Sequence, residues 1–304
     1  MLIGISKEEI ILSFEGVFSP LVTPLDKNYE VNWEAFHALL DKLIEGGLHG
    51  VVPMGTAGEF PMFTTDERMK IAEGVANHIN GRTKLIVGTA APSTHETLML
   101  SKHAKDIGAD GVLVTNPWYL KPSEAGLLWH YRELAKADIP ILAYNIPSAT
   151  GSMMPVHIVS KLAEEGTLAG IKDSSGVLNQ TIIYIRETPH DFVVFPGIDT
   201  IFLAAMMHGA EGGVLGTSMV IPKKVVELYV LARAGKYELA NEIQNDMSAI
   251  IQYVFLGVFP AGLKQLVTEA LGIDMGDPRP PLSPLNEEQR KNISEFIKNL
   301  QLEY

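Results

Sequence analysis

The stretch Ile141–Lys172, ILAYNIPSATGSMMPVHIVSKLAEEGTLAGIK, has a short apolar run at each end and a helical pattern between them. Pro155 suits the first turn of that helix, and Gly166 suits its end. The two apolar runs, Ile141–Tyr144 and Leu168–Lys172, are then strands joined by a crossover helix, which is the connection that parallel strands need. The stretch therefore predicts one strand–helix–strand unit of a parallel sheet.

Similar units precede and follow this stretch, with no linker or low-complexity segment between them. The eight candidate strands are Val17–Val22, Gly50–Met54, Lys84–Gly88, Gly111–Thr115, Ile141–Tyr144, Leu168–Lys172, Phe192–Phe195 and Gly213–Gly216. Eight such units predict an α/β fold of the (β/α)₈ TIM barrel type over residues 15–235. A doubly wound open sheet is the alternative, but Val22–Asp26 lacks the glycine-rich loop expected after its first strand.

Helix signals between the strands support this order. Trp33, Phe36, Leu40 and Leu43 form an apolar face that ends at Gly46 and Gly47. Further signals are the candidate capping boxes Thr64 with Glu67 and Ser93 with Glu96, the first-turn residue Pro222, and the helix-end residue Gly108. We assign residues 1–14 to an N-terminal extension. Residues 236–304 are predicted to form a C-terminal helical region with helices at Tyr237–Val258 and Phe259–Leu271.

Composition excludes several classes of function. The chain has 304 residues, no cysteine, and 36 acidic against 24 basic residues, for a formal net charge of −12. Thiol nucleophiles and disulfides are therefore impossible, and no basic run is present to bind nucleic acid. The N-terminus lacks the signal-peptide pattern and no apolar run reaches membrane-spanning length, so we expect a cytoplasmic protein with no membrane partner. His95 and His103 are isolated, and no metal-ligand spacing occurs among the nine histidines.

Polar residues follow the ends of several predicted strands, where active sites of such barrels lie. Lys172 ends an otherwise apolar strand. Because burial disfavours the charged form of a lysine, a neutral amine becomes available there to attack a keto carbon and form an imine. The alternative interpretation is a buried ion pair with Asp173 or Glu59. On position alone the two interpretations are equally good.

Tyr144 ends the neighbouring predicted strand, and this favours the imine. A phenol beside an imine-forming amine can transfer protons during imine formation and carbon–carbon bond chemistry. The Gly55-Thr56-Ala57-Gly58 turn offers backbone N–H groups that suit a substrate carboxylate, and Thr56 adds a hydroxyl. Gly197 and Gly216 allow the backbone to approach a ligand closely. A core tyrosine and ordinary tight turns are the structural alternatives.

These residues lie in a pattern that resembles the dihydrodipicolinate synthase and N-acetylneuraminate lyase superfamily of pyruvate-dependent class I aldolases. The resemblance covers about residues 15–300. Its landmarks are Phe18–Pro24, the Gly-Thr-x-Gly-Glu turn at Gly55, Tyr144–Pro147, Gly170–Ser174 and Gly213–Gly216. It implies a carbon–carbon lyase that uses a covalent imine and neither a metal nor an organic cofactor. It also implies a homotetramer built as a dimer of dimers.

The resemblance also implies roles for individual residues. Lys172 matches the Schiff-base lysine and Tyr144 the proton donor and acceptor, while Thr56 matches the threonine that contacts the tyrosine and positions the pyruvate carboxylate. The resemblance implies binding roles for the backbone of Ala57 and Leu215, while Gly55 and Gly197 are binding candidates as glycines at the ends of predicted strands. Tyr119 matches a tyrosine that a neighbouring subunit places into the site of the synthases.

Departures from the family pattern bear on the substrate. Ala57 stands where the family usually has a second hydroxyl residue, and Ala149 stands where the synthases have an arginine that holds a substrate carboxylate. A methyl group cannot replace a guanidinium there. The first expectation is therefore reversible cleavage of a 2-keto-3-deoxy sugar acid, such as 2-keto-3-deoxygluconate, to pyruvate and a hydroxyaldehyde, with Thr150, Ser152 and Ser174 as candidate hydroxyl contacts.

Other functions remain open on the same scaffold. Dihydrodipicolinate synthase, N-acetylneuraminate lyase and a keto-deoxy sugar acid dehydratase are the enzymatic alternatives. A non-catalytic barrel that binds a keto acid is the alternative from another class, and the presence of both Lys172 and Tyr144 argues against it. Phosphorylated substrates also remain open, with Lys121 and Arg132 as candidate phosphate contacts.

Overall fold

The computed structural model describes residues 14–300, which contain a barrel of eight parallel strands. The strands are β1 (Gly16–Ser19), β2 (Gly50–Val51), β3 (Lys84–Gly88), β4 (Gly111–Thr115), β5 (Ile141–Asn145), β6 (Gly170–Asp173), β7 (Val193–Pro196) and β8 (Gly212–Val214). Neighbours in sequence are neighbours in the sheet, and β1 pairs with both β2 and β8. At the seam between β7 and β8, the backbone N–H of Val194 donates to the Glu211 carboxylate at 2.9 Å. The predicted TIM barrel is confirmed.

Helices surround the barrel and alternate with its strands. They are α1 (Trp33–Glu45), α2 (Thr65–Ile79), α3 (Thr94–Asp106), α4 (Glu124–Leu134), the short α5 (Pro147–Thr150), α6 (Val156–Glu164), α7 (Leu178–Glu187), α8 (Phe202–Met207), α9 (Pro222–Arg233), α10 (Tyr237–Val254), α11 (Ala261–Leu271) and α12 (Glu287–Asn299). Of the part that the structure describes, no helix is both long and apolar enough to cross a membrane.

The barrel interior is filled by side chains from every other position of the strands, as expected for a packed barrel core. The rings of Phe18 on β1 and Phe195 on β7 lie 5.3 Å apart between centroids. Gly50 on β2 makes room for this packing, because a Cβ there would lie 2.2 Å from the Phe18 ring. Tyr144 belongs to the same buried cluster, so the interior core reaches up to the predicted site.

Several predicted strand boundaries were wrong by a few residues. β1 ends at Ser19 and β2 at Val51, because Pro20 and Pro53 supply no N–H to a strand ladder. β8 ends at Val214, and Gly216–Met219 forms a 3₁₀ turn instead of more strand. β5, β6 and β7 each extend one residue beyond the predicted end, while β6 and β7 also begin later than predicted. The predicted bounds of β3 and β4 are confirmed.

Some of the predicted helix-start residues occupy the expected positions in the structure and others do not. Thr64 and Glu67 form the predicted capping box at the start of α2. Ser93 accepts the Glu96 backbone N–H at 3.2 Å, but the Glu96 carboxylate accepts a hydrogen bond from Thr65 instead of returning to Ser93. Pro155 is the N-cap of α6 and not a first-turn residue, whereas Pro222 is in the first turn of α9 as predicted.

The C-terminal helices differ most from the prediction. α10 ends at Val254 and not at Val258, and α11 begins at Ala261 and not at Phe259, because Gly257 takes a positive φ of 74° and Pro260 cannot continue a helix. α12 was not predicted, although Asn286 and Gln289 form a capping box at its start. α10 packs over the 3₁₀ turns that follow β7 and β8. The C-terminal helices therefore cover part of the barrel mouth. The predicted N-terminal extension, apart from Phe14, lies outside the described residues.

Candidate active site

A cavity of about 200 Å³ opens at the carboxyl ends of the strands. It is smaller than the roughly 300–1,000 Å³ typical of sites for drug-sized ligands, and this suits a small keto acid. Its lining comes from strand ends, from the loops after them and from the C-terminal helices: Pro20, Thr56, Ala57, Tyr144, Ile146, Lys172, Ser174, Gly197, Ile198, Asp199, Val214, Gly216, Ile251, Val254, Phe255, Phe259 and Leu263. Seven of the candidate residues named from the sequence are in this set, namely Thr56, Ala57, Tyr144, Lys172, Ser174, Gly197 and Gly216.

Lys172 and Tyr144 occupy paired positions on adjacent strands β6 and β5. Directly paired residues of neighbouring strands point to the same face of a sheet, which here is the barrel interior. Both side chains are 5% exposed. The Lys172 Nζ lies 4.3 Å from the centroid of the Tyr144 ring. The structure therefore brings the predicted nucleophile and the predicted proton-transfer group together.

The carboxylates that could have paired with Lys172 are engaged elsewhere. Asp173 accepts hydrogen bonds from Asn145 at 2.8 Å, from Thr181 at 2.7 Å and from Ser175 at 3.0 Å. Glu59 forms an ion pair with Lys264. Among residues 14–300, no carboxylate forms an ion pair with Lys172, so the buried-ion-pair interpretation of this lysine is wrong.

Gly197 makes room for the Lys172 side chain. A Cβ built on Gly197 would lie 2.2 Å from the Ser174 Oγ and 2.5 Å from the Lys172 Cε. Contacts this short do not occur between real atoms, so any larger residue would displace one of these side chains. The loop after β7 can approach Lys172 only because residue 197 lacks a side chain.

Internal hydrogen bonds hold the turn between Gly55 and Glu59. The Gly58 N–H donates to the Gly55 carbonyl and the Glu59 N–H to the Thr56 carbonyl, each at 3.1 Å. The Thr23 hydroxyl, from the loop after β1, donates to the Gly58 carbonyl at 2.9 Å. Thr56 and Ala57 of this turn line the cavity, whereas Gly55 is not part of the lining. The binding role of Gly55 stays a prediction.

Leu215 is fully buried, and its N–H donates to the Phe18 carbonyl at 3.0 Å. Its neighbours Val214 and Gly216 line the cavity while Leu215 does not, and its binding role also stays a prediction.

Asp199 was not predicted as a site residue. It lines the cavity, accepts the Thr217 hydroxyl at 2.6 Å, and has its pKa raised by burial. Its position just after the predicted β7 was the available signal.

Only one of the candidate hydroxyl contacts faces the cavity. Thr150 donates to the carbonyls of Ile146 and Ser152, and Ser152 accepts from the Asn116 amide, so both are engaged outside the lining. Ser174 lines the cavity, and its buried Oγ has no hydrogen-bond partner among the described residues. It is therefore the hydroxyl available to a substrate.

The outer wall of the cavity is formed by residues that do not follow strand ends, so it was not predicted from the sequence. Ile251, Val254 and Phe255 come from the end of α10, Phe259 from the following loop, and Leu263 from α11. No local sequence signal marks them, because their role depends on how the C-terminal helices pack on the barrel. This wall is apolar.

Three predicted peripheral residues lie away from the cavity. Tyr119, in the loop after β4, is 90% exposed and has a positive φ of 68°. Lys121 donates to the Gly151 carbonyl, and the Arg132 guanidinium is held by both carboxylate oxygens of Glu165 at 2.9 and 2.6 Å. Arg132 is thus unavailable to a phosphate at this mouth. Within residues 14–300, no cluster of acidic and histidine side chains is arranged to bind a metal ion.

A larger surface cavity of about 430 Å³ lies between α1, α9 and α11. Its lining includes basic and acidic side chains, such as Lys42 and Glu269, and none of the predicted site residues. The chemistry of the paired strand ends therefore identifies the smaller cavity as the candidate active site.

Comparison with known proteins agrees with this geometry. A model of the dihydrodipicolinate synthetase family matches residues 13–300. The chain belongs to this family. The 4-hydroxy-tetrahydrodipicolinate synthase of Methanopyrus kandleri is 35% identical over 291 residues, covering 95% of this chain and 97% of that protein. The enzyme of the same name from Archaeoglobus fulgidus is 33% identical over 290 residues, covering 95% and 99%.

Solved structures of family members have the same fold. The dihydrodipicolinate synthase from Aquifex aeolicus superposes with a TM-score of 0.90 at 33% identity, covering 96% of this chain and all of that one. YagE from E. coli K12, described as a prophage protein of the family in complex with pyruvate, gives a TM-score of 0.92 at 28% identity, covering 95% and 99%. As a member of the dihydrodipicolinate synthetase family, the chain is a class I carbon–carbon lyase. Enzymes of this family form a Schiff base with a lysine and need no metal or organic cofactor.

Proposed function

We propose that this protein forms an imine between Lys172 and pyruvate, and makes or breaks a carbon–carbon bond at the adjacent carbon. The observation that carries the proposal is the position of Lys172. It is a buried lysine without an ion-pair partner among the described residues, beside the Tyr144 ring in the cavity at the barrel mouth. Its amine is therefore placed to attack a keto carbon of a ligand bound in the cavity.

The chemistry follows from the two side chains. The Lys172 amine adds to the keto carbon of pyruvate, and the resulting carbinolamine loses water to give the imine. Loss of a proton from the methyl carbon gives an enamine, with the imine nitrogen taking up the electron pair. The enamine carbon then attacks an aldehyde, and the aldehyde oxygen takes a proton; cleavage is the reverse. Tyr144 is the group placed to carry these protons.

We place the pyruvate carboxylate at Thr56 and Ala57, which line the cavity on a turn held by its own hydrogen bonds. A rigid turn with backbone N–H groups suits a carboxylate. Lys172 is the only lysine or arginine in the lining. The carboxylate is therefore bound by hydrogen bonds, and the amine is left free to react.

For the aldehyde partner, the relatives favour condensation with the amino-aldehyde used by dihydrodipicolinate synthases. Both curated relatives named above are 4-hydroxy-tetrahydrodipicolinate synthases, and they match nearly the whole chain. This function is better supported than the sugar-acid cleavage that the sequence pattern placed first. We therefore take the synthase reaction as the leading candidate.

Cleavage of a 2-keto-3-deoxy sugar acid stays the second candidate because of Ala149. Ala149 lies in α5, directly after the β5 end that carries Tyr144, and its methyl group cannot bind a carboxylate. The Ser174 hydroxyl is free to contact a substrate hydroxyl. These two features suit a neutral hydroxyaldehyde better than a charged amino-aldehyde.

Two measurements test the proposal. Incubation with pyruvate and borohydride should add the mass of a reduced pyruvyl group at Lys172, and an unmodified Lys172 would refute the imine. The protein is then supplied with pyruvate and the amino-aldehyde, and separately with 2-keto-3-deoxygluconate. Consumption of pyruvate in the first assay supports the synthase. Release of pyruvate in the second, without activity in the first, supports the sugar-acid aldolase.

We also propose that the protein is a cytoplasmic homotetramer, a dimer of dimers in which Tyr119 reaches the site of a neighbouring subunit. The exposure of Tyr119 supports this, since an aromatic side chain that is 90% exposed in one chain is available for burial in an assembly. Light scattering of the purified protein measures the assembly. A Tyr119→Ala variant should then form a smaller assembly than the unchanged protein or have a lower turnover.

A further inference from the structure

A buried ion pair joins the turn after β2 to α11. The Lys264 Nζ lies 2.7 Å from the Glu59 Oε1, and the two side chains are 1% and 0% exposed. Burial lowers the pKa of Lys264, and the adjacent Glu59 carboxylate opposes that shift. Neither residue lines the cavity, so neither touches the substrate in the proposed reaction.

Each partner is next to residues that do line the cavity. Glu59 ends the turn that carries Thr56 and Ala57, and its N–H donates to the Thr56 carbonyl at 3.1 Å. Lys264 follows Leu263, which belongs to the apolar outer wall. The pair therefore connects the proposed carboxylate-binding turn to α11, which contributes to the outer wall of the cavity.

The remaining hydrogen-bonding groups of the pair are fixed by the segment after α11. The Arg279 N–H donates to the Glu59 Oε2 at 2.7 Å, and the Lys264 Nζ donates to the Asp277 carbonyl at 3.0 Å. Glu59 itself has a positive φ of 58°, a conformation that a glutamate keeps only when its surroundings hold it. The side chain of Glu59 thus anchors the turn in one strained conformation.

Stability alone does not require charges at this place. A buried ion pair loses the hydration of both ions, and a well-packed apolar pair often stabilises a protein as well or better. A charged pair instead has a strong preference for one geometry, since misalignment leaves both charges without partners. Because the pair joins two parts of the cavity, the turn after β2 and α11, its geometry affects the shape of the binding site.

We infer that the Glu59–Lys264 pair is a positioning device, which holds the Thr56–Ala57 turn against α11 and so determines how tightly the site binds pyruvate. The inference rests on the proposed function, because it assumes that the turn binds the pyruvate carboxylate. The residues act through the turn and are not catalytic. Loss of the pair should raise the pyruvate concentration that the protein needs, while Lys172 keeps its ability to form the imine.

The test removes both charges together, so that neither is left buried alone. The Glu59→Gln/Lys264→Met variant is compared with the unchanged protein by borohydride trapping over a range of pyruvate concentrations. We expect the half-saturating pyruvate concentration to rise at least tenfold, which is about 1.4 kcal/mol of lost binding. The extent of Lys172 labelling at saturating pyruvate should be unchanged. A Lys264→Arg variant, which keeps the charge, should show a smaller rise.

A matched control removes an ion pair that is remote from the turn. Lys224 and Asp246 join α9 to α10 at 2.9 Å and are 30% and 41% exposed. Lys224→Met/Asp246→Asn should leave the half-saturating pyruvate concentration unchanged. A purely structural role for the Glu59–Lys264 pair would lower the melting temperature of its variant without moving this concentration.

The outcomes separate the inference from the proposed function. An unchanged protein without any adduct at Lys172 refutes the proposed function. A labelled protein whose folded Glu59→Gln/Lys264→Met variant needs the same pyruvate concentration refutes only the positioning role. If that variant does not fold, the Lys264→Arg variant, which keeps both charges and changes only the geometry of the pair, is judged by the same criterion.

Discussion

Lys172 on β6 and Lys264 on α11 are both buried lysines near the mouth of the barrel, yet their surroundings are opposite. Lys264 has a carboxylate at 2.7 Å and a carbonyl at 3.0 Å, so at least two of the three N–H groups of its ammonium are engaged. Lys172 has the face of an aromatic ring and an open cavity instead. Burial is common to both lysines, but Lys172 faces the cavity and has no ion-pair partner among the described residues. Lys264 is held in a structural ion pair, whereas the Lys172 amine is accessible to a ligand in the cavity.

Removing Lys172 should have the largest effect on activity. We expect Lys172→Ala to lower turnover at least about a thousandfold, because the covalent route is lost with the nucleophile. Turnover with pyruvate and the aldehyde, together with borohydride trapping, measures this loss. Removing Lys264 must not abolish adduct formation in a folded protein. If Lys264 is labelled in place of Lys172, the assignment of the two lysines is reversed.

Removing Lys264 should have the largest effect on stability. Lys264→Met leaves the Glu59 carboxylate buried without its partner, which we expect to lower the free energy of unfolding by about 3–5 kcal/mol. Urea unfolding followed by circular dichroism measures the change. Lys224→Met, in a partly exposed pair, should cost about 1 kcal/mol or less. Equal losses in the two variants would show that the Glu59–Lys264 pair contributes no more than a surface pair.

Tyr144→Phe tests the role of the hydroxyl on the ring beside Lys172. The change keeps the aromatic face beside the Lys172 Nζ and removes only the hydroxyl. Turnover should fall about a hundredfold or more, because proton transfer is lost, while the adduct at Lys172 still forms at saturating pyruvate. Stopped-flow or steady-state assays and trapping on the same sample separate the two steps. Unchanged turnover would mean that Tyr144 serves only as a packing surface.

Gly197→Ala tests whether the space around Lys172 matters. The added methyl group would lie 2.5 Å from the Lys172 Cε, so the amine must move. We expect kcat/KM to fall about tenfold, within the range of about 1–3 kcal/mol that overpacking costs. Gly126→Ala, on the outer helix α4 with its nearest neighbour at 3.3 Å, is the control and should leave kcat/KM unchanged. Equal activity in both variants would contradict the tight packing at Gly197.

The barrel and the position of Lys172 beside Tyr144 could be predicted from the sequence because both depend on local patterns. β3 and β4 are short apolar runs between clear helix signals, and their predicted bounds are confirmed. Tyr144 and Lys172 each lie one residue before the end of consecutive strands, and parallel strands in register place such residues side by side. Errors in β1 and β2 arose where the apolar run continues past Pro20 and Pro53.

Other parts of the site depend on packing that no local pattern reveals. Val254, Phe259 and Leu263 look like ordinary core residues of amphipathic helices, and only their position over the mouth makes them a wall. Glu59 and Lys264 are far apart in the sequence, and nothing near either residue indicates its partner. The sequence offered Glu59 as a partner of Lys172, and the structure corrected this only because α11 reaches the turn after β2.

The outer wall of the cavity is made of residues that are synthesised late. Synthesis proceeds from the N-terminus, so Lys172 and Tyr144 leave the ribosome well before Phe259 and Leu263. Until α10 and α11 have been synthesised, the chain lacks the apolar residues that these helices contribute to the cavity wall. The cavity around Lys172 is therefore completed only after all eight strands of the barrel have been made.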